Sequence, residues 1–159
     1  TAGNVPKPIQ TGFEMMALLK ENRLKVVKAK KDSRFGLIAT KSEKEIVLLT
    51  YNYEESESEE ITGNDKIKIE LDGLKKSASY QIKTIVLDKE NNNTFQKWKE
   101  MGSPKNSKSI NLFPIKKAGN LTFSKIINFK ADDEGKTSFD LPLMKRSAKL
   151  MIIKMNQIP

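Results

Sequence analysis

The sequence contains no cysteine and no histidine among its 159 residues. Without these residue types the chain cannot form a disulfide framework, a zinc site with the usual ligands, or a Ser/His/Asp or Cys/His nucleophilic site. No apolar run approaches the roughly 20 residues that a membrane-spanning helix needs. These absences exclude most enzyme templates and leave carboxylate, lysine or tyrosine chemistry. We therefore expect no cofactor, no metal and no membrane as partner.

The first residues, TAGNVPKP, lack the charged start and the long apolar stretch of a signal peptide. We therefore do not expect a signal peptide in this chain. Both a cytoplasmic and a secreted location stay open.

The formal net charge of +9 raises nucleic-acid binding as a hypothesis, because lysine and arginine neutralise phosphates. Arginine, which is suited to bidentate phosphate contacts, is scarce beside lysine. The lysines recur singly between apolar residues, as at Lys66, Lys68, Lys83, Lys125 and Lys149. This spacing is typical of the solvent faces of strands, so a solubilising surface is the preferred interpretation.

A helix is predicted over roughly residues 9 to 21, after Pro6 and Pro8, with Thr11 as its N-cap. Its apolar residues surround much of its circumference: Phe13, Met15, Met16, Ala17, Leu18 and Leu19. A helix of this kind is normally buried on two sides. A single domain of this length offers it only one surface, so the helix is expected to need a second partner.

From Leu24 onward the apolar residues alternate with period two and turn signals recur, as in an antiparallel sandwich. The segment 45–53, EIVLLTYNY, is apolar on both parities and predicts a central strand, entered by a hairpin turn at 41–44. Other strands are predicted over 23–30, 35–40, 66–72, 80–86, 121–129, 139–141 and 148–155, with a turn at 132–135. The expected inward residues are Ile67, Ile69, Leu71, Tyr80, Ile82, Leu121, Phe123 and Ile152. The predicted fold is mainly β: an immunoglobulin-like or fibronectin-like antiparallel β-sandwich of about seven or eight strands, with an N-terminal helix and one short helix.

Leu74 and Tyr80 bracket the corner between two predicted strands. In immunoglobulin-like sandwiches a tyrosine at such a corner bonds through its hydroxyl to backbone a few residues upstream. The spacing predicts a tyrosine corner here, and an ordinary half-buried tyrosine is the alternative.

Thr94 is predicted to cap the short helix, which carries Phe95, Trp98 and Met101 on one face and ends at Gly102. The stretch 103–119 is predicted to be a loop.

Asp88, Glu90 and Asn92 stand at alternate positions before this helix, which is how a calcium loop begins. The sixth position holds Asn93 instead of glycine, and the twelfth holds Lys99 instead of a carboxylate. A plain polar turn is therefore preferred over a calcium site.

Three blocks resemble the C-terminal part of glycoside hydrolase family 39, which comprises β-xylosidases related to α-L-iduronidases. They are VPKPIQTGFEMMALL (5–19), FGLIATKSEKEIVLLTYNY (35–53) and LDKENNNTFQKWKEMGSP (87–104). Where the family often shows a His-Ser-Asn pattern, this chain has asparagine at positions 91–93. Residues 105–118 take no part in the resemblance.

The resemblance implies that residues 1–22 are a linker and the last helix of a preceding (β/α)8 barrel, and that residues 23–159 form a non-catalytic accessory β-sandwich. Family members are retaining glycosidases that use two glutamates about 5 Å apart, both on barrel strands. No glutamate of this chain is therefore expected to be catalytic, while the parent protein is expected to be a retaining glycosidase of the xylan 1,4-β-xylosidase type. The glutamates at positions 54, 55, 57, 59 and 60 are interpreted as one solvated loop.

The expected partners are the barrel, a second copy through the N-terminal helix, and carbohydrate. The interface candidates are Phe13, Met15, Met16, Leu18 and Leu19. The candidates for contact with sugar are Tyr51, Tyr53, Phe95 and Trp98, although core packing is preferred for the last two. The alternative functions are an autonomous carbohydrate-binding module and, on the lysine content, a nucleic-acid-binding domain.

Overall fold

The computed structural model describes residues 5–28, 32, 34–55, 63–105, 110–124 and 126–156. Within these ranges it contains three helices and eight strands: α1 (Pro8–Ala17), β1 (Asn22–Arg23), β2 (Phe35–Lys41), β3 (Glu45–Asn52), β4 (Asn64–Leu71), β5 (Ser79–Leu87), α2 (Thr94–Glu100), α3 (Phe113–Ala118), β6 (Ile127–Lys130), β7 (Thr137–Met144) and β8 (Ser147–Met155). A six-stranded sheet has the order β1-β2-β3-β8-β5-β6, and β4 pairs with β7 in a second sheet. All pairs are antiparallel. The predicted mainly β, antiparallel sandwich is confirmed.

The six-stranded sheet is covered on both faces. Between the two sheets lies a core to which β3 contributes Leu48. On the opposite face, Val47 and Leu49 pack with Met15 of α1. Burial of each such side chain contributes roughly 1.5–3 kcal/mol. This double burial explains why β3 is apolar on both parities, and its place between β2 and β8 confirms the predicted central strand.

The predicted tyrosine corner is confirmed at the crossing from β4 to β5. The backbone N–H of Lys75 donates to the Tyr80 hydroxyl at 2.9 Å. Leu74 and Tyr80 are both buried, and the Tyr80 ring stacks on Phe129 with 5.2 Å between ring centroids. The hydroxyl thus satisfies a backbone donor where the chain passes between sheets.

The turn at 132–135 is also present and connects β6 to β7 in the other sheet. One Asp132 carboxylate oxygen accepts hydrogen bonds from the backbone N–H groups of Glu134 and Lys136, at 2.9 and 2.7 Å. Gly135 has φ +80°, and a Cβ there would lie 2.4 Å from the Leu74 carbonyl oxygen. A side chain at this position is therefore excluded both by backbone conformation and by space.

Both predicted helix caps are wrong. Lys7 is the N-cap of α1, and Thr11 lies inside the helix, where its hydroxyl donates to the Asn92 carbonyl at 3.4 Å. Asn93 caps α2 by accepting from the Gln96 N–H at 3.1 Å. The Thr94 hydroxyl instead donates to the carbonyl of Pro6 at 2.6 Å.

Several predicted bounds also differ from the structure. Within 23–28 only Arg23 is in a strand, and residues 29 and 30 lie outside the described residues. Phe123 was predicted to face inward but is 47% exposed, because residues 121–124 run along the sheet edge with a single bridge to Ile85. The predicted loop 103–119 contains α3, which has proline in its first turn and buries Ile115.

Of the other residues expected inward, Ile69, Tyr80 and Ile82 are buried. The remaining four are half-buried: Ile67, Leu71, Leu121 and Ile152. No helix in the described ranges is long and apolar enough to cross a membrane.

Candidate functional site

Helix α1 lies on the outer face of the six-stranded sheet and divides the interface candidates into inner and outer residues. Met15 is completely buried, so it belongs to the interior and not to an exposed surface. Leu18 and Leu19 are half-buried against the same cluster. Phe13 and Met16 face outward and are 63% and 51% exposed.

Ile9, which the sequence prediction did not single out, joins Phe13 and Met16. It is 62% exposed, and the three residues have the i, i+4, i+7 spacing of one helix face. We call Ile9, Phe13 and Met16 the apolar stripe. Gln10 and Glu14, which hydrogen bond to each other at 3.1 Å, form a separate polar face. Helix α1 therefore has two apolar faces, one sealed against the sheet and one open.

A groove of about 690 Å³ continues the stripe toward α2. Ile9 and Gly12 line it from α1, Phe95 and Lys99 line it from α2, and Leu87 lines it from the end of β5. Lys89, Lys145 and Arg146 also line it, which gives an apolar cleft with basic groups beside it.

The α2 aromatics do not both pack in the core. Phe95 is 51% exposed, which contradicts the preferred core role for this residue. Its ring stacks on Trp98 with 5.6 Å between centroids, and the Lys99 ammonium lies 5.0 Å from the Phe95 ring centroid. Trp98 is half-buried and its indole N–H donates to the Pro104 carbonyl at 3.2 Å.

Tyr51 and Tyr53 both have exposed rings, at 43% and 58%. Tyr51 opposes Gly36, and its ring occupies the space above that glycine, because a Cβ there would lie 2.0 Å from the ring. In register, Tyr51 also opposes Ala148, which opposes Leu87 at the groove. Tyr51 thus lies two strands, or roughly 10 Å, from the groove.

The polar groups of the Asn-rich turn before α2 are hydrogen-bonded within the turn and to neighbouring segments of the protein. One Asp88 carboxylate oxygen accepts from the backbone N–H groups of Glu90 and Asn91, at 2.8 and 2.7 Å. The Asn92 amide donates to the Val86 carbonyl at 2.6 Å. Such bonds are those of an Asx-type turn, and the described residues contain no group of acidic side chains suited to hold a metal.

Four described carboxylates have a resolved pKa shift, and all four shifts are downward. The Lys154 and Lys20 ammonium groups lower the pKa of Glu45, the Lys97 ammonium lowers that of Glu100, and a neighbouring cation does the same for Asp32 and Glu70. A general acid of a glycosidase needs a raised pKa. These four carboxylates therefore have the properties of ion-pair partners and not those of a general acid.

Only the start of the acidic loop lies within the described residues. Glu54 lies 3.5 Å from the Lys145 ammonium, and its carbonyl accepts from Arg146 at 3.3 Å. Positions 57, 59 and 60 lie outside the described residues.

A second cavity, of about 370 Å³, lies between α2, α3 and the segment 122–124. It is lined by Phe123, Gln96, Lys97 and Lys117 among others. Sequence reasoning missed this cavity because it depends on α3, which was predicted as loop. The polar face of α2 could have indicated that this side of the helix is not core.

The comparisons with known proteins agree with the resemblance. A β-xylosidase of Caldicellulosiruptor saccharolyticus is 27% identical over 150 residues, which cover 94% of this chain and 30% of that protein. A GH39 enzyme from Xanthomonas axonopodis pv. citri superposes with a TM-score of 0.76 at 12% identity, covering 94% of this chain and 30% of that one. A monomeric β-xylosidase from Caulobacter crescentus gives 0.77 at 15% identity, with coverages of 96% and 31%. At these identities the structural likeness shows the fold.

The chain thus spans about 30% of the length of the curated relative that it matches. The model of "Glycosyl hydrolases family 39" matches residues 1–119, which is most of the chain. The chain belongs to glycosyl hydrolases family 39.

Proposed function

We propose that this chain is the non-catalytic C-terminal accessory domain of a family 39 retaining glycosidase of the β-xylosidase type, and that α1 attaches it to the catalytic barrel. Family membership and the β-xylosidase relative support the parent activity. The coverage of 30% of that relative leaves room for a barrel elsewhere in the parent protein.

The observation that carries the proposal is the open face of α1. The apolar stripe and Phe95 leave four large apolar side chains between 51% and 63% exposed. At roughly 150–200 Å² for each side chain, this amounts to about 400 Å² of apolar surface. The largest patch on a typical monomer is about 300–600 Å² and is often functional, so a partner that covers this face gains free energy.

The non-catalytic assignment rests on the resemblance, which places both catalytic glutamates on barrel strands, and four carboxylates of this chain agree with it. A retaining site needs two carboxyl groups about 5–5.5 Å apart, one of them with a raised pKa. The shifted carboxylates in the described ranges carry lowered pKa values because cations lie beside them. We therefore expect this chain alone to hydrolyse no aryl-xyloside, and turnover that disappears when one of its glutamates is replaced would contradict the proposal.

Docking is tested with charge substitutions on α1. The double variant Phe13→Glu/Met16→Glu should abolish binding of the separately produced barrel of the parent protein, as measured by calorimetry. Gln10→Lys is the matched control, because it changes charge on the polar face of the same helix and keeps a pairing with Glu14. Unchanged binding by the double variant would refute docking through α1.

Sedimentation of the chain alone tests whether the partner of the stripe is a second copy of this chain instead of the barrel. The stripe would serve a homo-oligomer if the unsubstituted chain associates with itself, the double variant does not, and neither of them binds the barrel. The residues encoded before Thr1 provide an independent check, since a (β/α)8 pattern with paired glutamates would identify the barrel.

The autonomous carbohydrate-binding module has less support from the four candidate aromatics. Phe95 stacks on Trp98, but no ring contact joins either described tyrosine to that pair. Among these four candidates, the ring contacts in the described residues join only Phe95 and Trp98, and nothing links the exposed tyrosines to them in one aromatic platform.

The nucleic-acid alternative also has little support, because lysines alternate with acids on the surface. Lys66 lies 3.3 Å from Asp140, and Lys68 lies 2.8 Å from Glu70.

A further inference from the structure

The second cavity is a polar basin, which we define by Glu90, Gln96, Lys97, Glu100, Lys117 and Phe123. The polar face of α2 forms one wall, the last turn of α3 forms another, and Phe123 closes the side next to β5. Its volume of about 370 Å³ lies in the range of roughly 300–1,000 Å³ that holds small ligands.

The floor of the basin is held in place by Asn92. This residue has φ +52°, a left-handed conformation that asparagine adopts more readily than most residues. Its side-chain amide donates to the Val86 carbonyl at 2.6 Å, and its side-chain oxygen accepts from the Thr122 N–H at 3.1 Å. These bonds tie β5 to the segment that carries Phe123, so the basin does not have to be ordered by its ligand.

The charges in the basin balance, although the chain as a whole carries +9. Glu90 and Glu100 supply two carboxylates, and Lys97 and Lys117 supply two ammonium groups. Lys97 lies 3.0 Å from Glu100 and lowers the pKa of that carboxyl. A balanced site offers a phosphate or another polyanion no local excess of positive charge. It does offer charged donors and acceptors to a ligand rich in hydroxyl groups.

Phe123 adds an aromatic face to this polar lining. Its ring is 47% exposed at the rim, and it is the only aromatic ring among the described lining residues. The negative face of an aromatic ring attracts the weakly positive C–H groups of a sugar ring. An apolar face beside groups that both donate and accept hydrogen bonds is the chemistry that recognises a pyranose.

We propose that the polar basin binds a short neutral oligosaccharide, with one sugar ring against Phe123 and its hydroxyl groups on Gln96, Glu100 and Lys97. The basin shares no residue with the apolar stripe. The proposal uses family membership and the geometry of the basin, and it does not require that α1 dock on a barrel. Failure of sugar binding would leave the docking proposal intact, and the reverse also holds.

The test is an NMR titration of the ¹⁵N-labelled chain with xylotriose, with maltotriose and sulfate as comparison ligands. We expect saturable shifts of the backbone amides of Gln96, Lys97 and Phe123 with xylotriose and none with sulfate. Phe123→Ala should weaken binding about tenfold, which corresponds to about 1.4 kcal/mol. Phe113→Ala is the matched control, because Phe113 is 68% exposed but does not line the basin, and it should bind like the parent chain.

Glu100→Ala provides a second variant, at an exposed position on the last turn of α2 where the fold has little to lose. Its binding should also weaken, with an unchanged circular dichroism spectrum. Three outcomes would overturn the proposal: no shifts with tens of millimolar xylotriose, equal shifts with sulfate, or unchanged affinity in Phe123→Ala. Maltotriose binding as tight as that of xylotriose would support a sugar site that does not select xylose.

Discussion

Met15 and Met16 are neighbours of the same residue type on different faces of α1, one buried and one exposed, and this makes them a matched pair for testing its orientation. Met15 is 0% exposed and packs with Val47, Leu49 and Ile85. Replacement of a buried methionine by alanine costs about 2–5 kcal/mol, because transfer free energy is lost and a cavity remains. Since Met15 is fully enclosed by the sheet, we expect Met15→Ala to lower the free energy of unfolding by about 3 kcal/mol.

Met16 is 51% exposed, and its outer half has no partner within the described chain. Met16→Ala should therefore change the free energy of unfolding by less than about 0.5 kcal/mol. For a domain of this size, 1 kcal/mol shifts the melting temperature by about 2–4 °C, so Met15→Ala should melt roughly 6–12 °C lower while Met16→Ala stays near the parent chain. Urea denaturation followed by the fluorescence of Trp98, the only tryptophan, measures both variants. Equal losses, or a larger loss for Met16→Ala, would refute the placement of α1.

Three further predictions concern the sandwich. Tyr80→Phe removes the acceptor of the Lys75 N–H and should cost about 1–2 kcal/mol in urea denaturation; no measurable cost would contradict the tyrosine corner. Glu45→Gln should cost about 0.5–1 kcal/mol at neutral pH, because lysines lower the pKa of Glu45 below 4.5 in the folded state. That cost should shrink as the pH falls below 4.5 and through the folded pKa, so a cost independent of pH would exclude the ion pairs as its source. Gly36→Ala should displace the Tyr51 ring and destabilise the parent chain, but not a Tyr51→Ala background, in a double-mutant cycle by thermal melting.

The features that sequence predicted correctly are those that depend on repeated local patterns. Alternation from Ile67 to Leu71 marks a strand with one wet face, and β3, apolar on both parities, marks a strand buried on both sides. The spacing of Leu74 and Tyr80 predicted a corner because the bond joins residues close in sequence. The alternation of apolar residues and the short spacing of a turn can be read from the sequence because neither depends on residues far away in the chain.

The cap predictions failed because α1 begins at Pro8, before Thr11, and because both threonine hydroxyls donate to distant acceptors. Thr11 donates to Asn92, 81 residues away, and Thr94 donates to Pro6, 88 residues away. A threonine before a helix is a good cap only when no tertiary acceptor competes for its hydroxyl. The exposure of Phe123 was missed for a related reason, since its place at a sheet edge follows from pairing and not from its own alternation.

The position of α1 bears on where the β-sandwich begins. The boundary at residue 22 was predicted from the resemblance to a barrel's last helix. Yet Met15 of α1 packs with Val47 and Leu49 in the core on the outer face of the six-stranded sheet. The backbone N–H of Lys20 donates to the Thr40 hydroxyl at 2.9 Å. The Lys20 ammonium also lies 2.8 Å from Glu45. Without α1, the outer face of the six-stranded sheet would expose buried residues such as Val47, so the sandwich requires this helix whether or not a barrel also packs on it. The inner face of α1 therefore completes the sandwich, and its apolar stripe is left open for the docking on a barrel that we propose.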